Sequence, residues 1–177
     1  MSLNAMLRDL DIAPFRIDGR RLEVVAEGLT LFGGCQLVLD ATVEAPLHGD
    51  ATHRRRADVE DGAALREARR RKERTYPELC QGNGRARLVV IAGEVGGRWS
   101  DETKTFLWSL ACAKATSVPR RMYGSARAAW YRRWTCHLAC SSAKAVACCL
   151  LGKEGSPGAG DQVPSVNDVV ADAQFLV

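Results

Sequence analysis

No stretch of this chain is long and apolar enough to promise a bilayer span: the best candidate, Leu138 to Leu151, is short and carries Lys144. No secretory leader opens the sequence either, and the 7 cysteines are an odd number. Together these argue against a disulfide framework and for an intracellular chain, nuclear or cytoplasmic and not secreted. Catalytic signatures are equally scarce. The glycines at Gly93, Gly96 and Gly97 make a turn and not a dinucleotide loop, and the phosphate loop that ends in Gly-Lys-Ser/Thr is absent. No serine sits in a nucleophile elbow, and His48, His53 and His137 have no partner pattern for a triad. Cys136, His137 and Cys140 lie on one helical run without the loop geometry of a zinc knuckle.

What is present is enough apolar sequence for one core: 177 residues, 46% hydrophobic, 26% charged, with a formal charge of +4. The first twenty residues read as an extension with a short helical start (Leu3, Met6, Leu7, Leu10). Residues 152–177 read as a flexible polar tail. Between them, 21–151 reads as a single domain. Arg21 to Leu29 alternates like a strand, Phe32-Gly33-Gly34 marks a turn, and Gln36 to Val43 is apolar on both faces, as a covered strand is. The two strands are close enough to pair as a hairpin. A basic helix then runs from about Asp61 to Tyr76, with Asp58 as the expected N-cap and Pro77 as its stop. Arg87 to Glu94 is the clearest strand. Ser100 begins an amphipathic helix that buries Phe106, Leu107, Leu110 and Ala111, and Pro119 separates it from a long last helix. The expected fold is α/β (α+β): a small mixed sheet of three to four strands covered by helices, with a C-terminal helical pair.

Two features carry chemistry. On the basic helix, Asp61, Ala64, Leu65, Ala68, Thr75 and Tyr76 form a stripe about 120° wide, expected to face inward, and Lys72 falls inside it. A lysine there either snorkels at the rim of the core or points inward at a carboxylate. The strands supply Glu27, Asp40 and Glu94. An ionised Asp40 in a covered strand needs a cation or a basic partner. Two carboxylates and a lysine are the parts for Mg²⁺-assisted phosphodiester hydrolysis; the alternative is a plain ion pair of Asp40 with Lys72 or an arginine. Arg54, Arg55, Arg56, Arg69 and Arg70 concentrate positive charge around the same helix, suited to nucleic acid or to a solvated face. The four tryptophans read as core or helix-interface residues, although Trp130-Tyr131 beside Arg132-Arg133 also suits stacking on bases.

The stretches RLEVVAEGLTLFGGCQLVLDATV, RRRKERTYPEL and RARLVVIAGEVGGRWSDE resemble a segment at the C-terminal end of retrotransposon polyproteins from marine protists. That segment follows the reverse transcriptase and is similar to the restriction-enzyme-like, PD-(D/E)XK-type endonuclease of non-LTR elements. The resemblance covers about Arg21 to Trp134. It implies Glu27 and Asp40 as metal ligands, Lys72 as catalytic lysine, Tyr76 as a supporting residue and Glu94 as a further ligand. Magnesium would be the cofactor and DNA the partner. The chain would be a detached piece of a polyprotein, either an active nuclease or an inactive remnant that binds nucleic acid or a protein. It departs from the pattern twice: Ala26 stands before the first acid where proline is expected, and Thr42 stands where the tripeptide lysine would be. No polymerase motif of the Tyr-x-Asp-Asp kind is present.

Overall fold

A computed structural model describes residues 2–3, 22–29, 31–80 and 86–151. By its internal contacts the chain divides into two units, Met1–Ala143 and Lys144–Val177. The first holds all of the sheet. The division falls inside the last helix, earlier than the sequence suggested, and residues 152–177 lie outside the described residues, as do Met6, Leu7 and Leu10.

Four strands form one mixed sheet in sequence order: β1 (Ser2–Leu3), β2 (Val24–Ala26), β3 (Gln36–Glu44) and β4 (Ala86–Glu94). Leu3 is therefore in a strand and not in a helical start. It pairs with Val24 across the antiparallel β1–β2 ladder. β2 and β3 are the antiparallel hairpin expected around Leu31–Gly34, in the register Val24 to Leu39 and Ala26 to Leu37. β3 and β4 run parallel, with Asp40 beside Val90 and Glu44 beside Glu94. A parallel pair needs a crossover, and α1 (Ala63–Thr75) and the short α2 (Pro77–Cys80) supply it.

Because side chains alternate along a strand, each face of the sheet has its own core. One joins Val25, Val38, Leu88 and Val90 to Leu65 of α1 and to Tyr76 and Leu79. The other joins Ala26, Leu37 and Val89 to Phe106 of α3 (Asp101–Ala115). The apolar-on-both-sides reading of β3 follows from this: Leu37 and Val38 are both fully buried, on opposite faces.

α1 starts later than its sequence promised. Gly62 is its N-cap, at φ 69° in the left-handed region and with no side-chain cap bond, so Asp58 does not cap it. A glycine enters that region without Cβ strain, and helical geometry begins only after it. At the other end Tyr76 leaves helical angles just ahead of Pro77, as a residue before proline should. The inward stripe is as expected for Ala64, Leu65 and Ala68, while Asp61 and Thr75 are exposed.

α3 is tied to β4 by its cap. Ser100 accepts from the Thr103 N–H at 3.1 Å, and the buried Thr103 hydroxyl accepts from the Ala92 N–H at 3.0 Å. Trp99 closes over the same strand, its ring filling the space that a Cβ at Gly93 would need. α4 (Tyr123–Leu150) follows after Pro119 and buries none of its residues. Its tryptophans are therefore not core. Among the described residues, no helix is long and apolar enough to cross a membrane.

Candidate acid pair and basic helix

Lys72 points inward. Its Nζ donates to Asp40 Oδ1 at 2.8 Å, from a half-buried side chain on α1 to a carboxylate only 3% exposed on β3. The convergence follows from parity: Asp40 shares the face of Val38, which α1 covers, and Lys72 lies one turn beyond Ala68 on the helix stripe. The other oxygen, Asp40 Oδ2, is buried and has no hydrogen-bond partner. A bare carboxylate oxygen in such a place is costly, so it calls for a proton donor or a cation.

The carboxylate that the hairpin register brings beside Asp40 is Glu23 and not Glu27. Continuing the β2–β3 register one step beyond the Val24–Leu39 pair brings Glu23 opposite Asp40. Glu23 Oε2 accepts from the Ala41 N–H at 2.7 Å, which anchors the side chain across the hairpin. Glu27 lies at the far end of β2, where Gln36 Nε2 donates to it. Four residues of strand, about 13 Å, separate that level from Asp40. Glu94 is displaced to the same extent in the other direction, since Asp40 is level with Val90 on β4. Arg98 lies 3.7 Å from the Glu94 carboxylate. Tyr76 is buried in the core beneath α1. The structure thus joins Asp40 with Lys72, adds Glu23, and leaves Glu27 and Glu94 apart.

Counting from the turn does not separate the two candidates. Asp40 lies six residues beyond Gly34, whereas Glu23 and Glu27 lie eight and four before Leu31, each two residues from the symmetric position. Only the actual register of the ladder places Glu23 beside Asp40.

Glu23 holds its proton more firmly than an ordinary glutamate. Partial burial raises its pKa above the ordinary 4.5, opposed by the Ala41 N–H, and the charge of Asp40 raises it further while Lys72 pulls it down. A protonated Glu23 can donate to the bare Asp40 oxygen; an ionised one cannot. The consequence for stability has a definite sign. A carboxyl whose folded pKa is raised contributes stability that is full below the unfolded value and lost as pH climbs through the folded one. Urea midpoints measured upward from about pH 4 should therefore fall more in the wild type than in Glu23→Gln. Parallel curves for the two proteins would remove Glu23 from the pair.

The arginines are more occupied than their density suggests. Arg54 reaches the buried Glu44 at 3.2 Å and donates from Nε to the Ala45 carbonyl at 2.8 Å. Arg71, which sequence reasoning did not single out, pairs with the same Glu44. Arg56 meets Glu60 at 3.2 Å, and Arg69 meets Glu102 at 3.1 Å and Glu73 at 3.5 Å. Of the five arginines expected to face phosphates, Arg54, Arg56 and Arg69 are thus ion-paired, whereas Arg55 and Arg70 are exposed. A cavity of about 400 Å³ opens between α1 and the start of α3, lined by Arg66, Arg69, Arg98, Trp99 and Glu102 among others. The acid pair is not part of its wall.

Among the described residues, no group of three or more His, Cys, Asp or Glu side chains is arranged to hold a metal, and the cysteines are free. Two carboxylates with one bare oxygen still suit Mg²⁺, which keeps several waters and takes one or two protein carboxylates plus substrate oxygens. No family model, curated protein or solved structure matches the chain.

Proposed function

We propose that this chain is a nuclease-like domain in which Glu23, Asp40 and Lys72 serve Mg²⁺-dependent hydrolysis of DNA phosphodiesters. The observation that carries the reading is the Lys72–Asp40 contact, made from two elements 32 positions apart, together with the unpartnered Asp40 Oδ2. A divalent cation held by the two carboxylates would acidify a water and draw off charge building on the phosphate. The chain's own groups have separate tasks. Asp40 offers Oδ2 as a ligand while Oδ1 stays on the ammonium. Glu23 must release its proton to become the second ligand, so raising pH favours the competent form. Lys72 brings a fixed positive charge beside the acids, where it neutralises charge on an approaching phosphate. The resemblance to retroelement endonuclease segments supports Asp40 and Lys72 in this reading but implies Glu27 as the first acid; Glu23 takes that place here on the strand register alone.

A second reading has its own support. Lys72 already neutralises Asp40, and a proton on Glu23 would satisfy the remaining oxygen, which makes a closed ion-pair network with no cation. The domain would then be an inactive remnant that binds nucleic acid or a protein. Supercoiled plasmid separates the two. The nuclease reading expects nicking that needs Mg²⁺ or Mn²⁺, ceases with EDTA, and survives in Glu27→Gln but not in Glu23→Gln. Intact plasmid at high protein and metal concentration leaves only the remnant.

A further inference from the structure

From residue 103 to residue 143 the chain carries seven Lys and Arg residues and no Asp or Glu. Much of that charge sits among aromatic rings. On α4, Trp130 and Trp134 are one helical turn apart with ring centroids 5.4 Å from each other. Lys114 of α3 lies 5.4 Å from the centre of Trp130, and Arg133 lies 6.0 Å from it. Beside them Arg127 stacks over Trp108 at 4.3 Å, and Trp108 meets Tyr131 edge-on at 5.5 Å. Trp108 is 41% exposed, and Trp130, Tyr131 and Trp134 are half-buried, so each ring keeps part of its surface in solvent.

Half-buried rings of this size, with cations beside them in a segment that carries no carboxylate, form a surface that complements a polyanion bearing flat apolar groups. We infer that the Trp130–Trp134 face of α4, with Lys114 and Arg133, binds single-stranded nucleic acid by stacking bases on the indoles and pairing phosphates with the cations. A duplex fits the chemistry less well because its base faces are hidden, whereas a single strand offers both groups at once. An acidic protein would satisfy the charges but leave the indoles unexplained. This surface is independent of the acid pair, since none of its residues belongs to it.

The probe is a fluorescein-labelled oligo-dT of about twenty nucleotides, a length spanning at least one site of the usual ~4–16 nucleotides, with a hairpin duplex and heparin as competitors. Anisotropy should show binding by the full chain that weakens steeply with salt. Trp130→Ala with Trp134→Ala should weaken it roughly a hundredfold, because each of the two lost stacks is worth about a factor of ten. Trp130→Phe with Trp134→Phe should restore most of the affinity, and an unchanged urea midpoint in the alanine pair separates lost stacking from lost structure. Binding should be the same in EDTA as in Mg²⁺, so failure of the acid-pair reading leaves this one standing. The inference is overturned by wild-type affinity in the double alanine variant, by tighter binding of duplex than of single strand, or by heparin binding alone. A concentration-dependent dimer abolished by the alanine pair would overturn it too, by assigning the face to a second copy.

Discussion

Asp40→Asn should reduce metal-dependent plasmid nicking to background while leaving the fold intact. The asparagine keeps a carbonyl oxygen for Lys72, so the contact from α1 to β3 persists in neutral form. It also removes a buried negative charge, whose desolvation costs stability in the native protein. The substitution should therefore be close to neutral in unfolding experiments, within about 1 kcal/mol, the range expected when one charged hydrogen bond becomes a neutral one. What it cannot replace is the anionic Oδ2, the bare oxygen on which cation binding depends. Nicking assays and urea titrations on the same preparation settle the matter. Undiminished nicking by a well-folded Asp40→Asn protein would falsify the assignment of Asp40.

Lys72→Met should act in the opposite sense, weakening the fold as well as the activity. Methionine matches the lysine stem in length and packs against the same apolar stripe, so little contact area is lost. The charge, however, goes. Asp40 is then a buried carboxylate with Glu23 opposite it and no counter-ion in contact. Breaking a buried pair from one side costs about 3–5 kcal/mol; the lysine here is 21% exposed, which places the expected loss at the lower end, about 3 kcal/mol. Combining it with Asp40→Asn should recover most of that loss, because the stranded charge is gone. A double-mutant cycle on urea midpoints measures this directly. A coupling energy near zero would show that the two side chains merely lie close.

Much of the fold could be read in the residues, for identifiable reasons. β3 and β4 are long, rich in β-branched residues and covered on both sides, so composition alone marks them. α3 announces itself through Ser100, whose oxygen caps the helix as its position suggests. Lys72 and Asp40 could be matched because each breaks the apolar pattern of its own element on the covered face. Glu23 could not be matched with equal ease, since its partner depends on hairpin register, and the register depends on a turn whose Phe32 and Gly33 both adopt positive φ. The start of α1 was hidden by Asp58, a good capping residue placed before Gly62, where the backbone turns left-handed. The occupied arginines were invisible for a different reason. Arg71 and Arg69 of α1 meet Glu44 of β3 and Glu102 of α3, and only the packing of α1 between those elements brings these charges together.

The clasp at Glu44 has a bearing on how the chain finds this shape. Parallel pairing of β3 with β4 joins residues about fifty positions apart, a slow search for any polypeptide. Arg54 shortens it: its backbone N–H reaches the Pro46 carbonyl at 2.9 Å while its guanidinium grips Glu44, so the segment 45–54 is folded back on the strand it has just left. That closed loop hands α1 a fixed point of departure close to the sheet. The entropy of joining distant strands is thereby divided into two smaller steps, of which the first is local and fast.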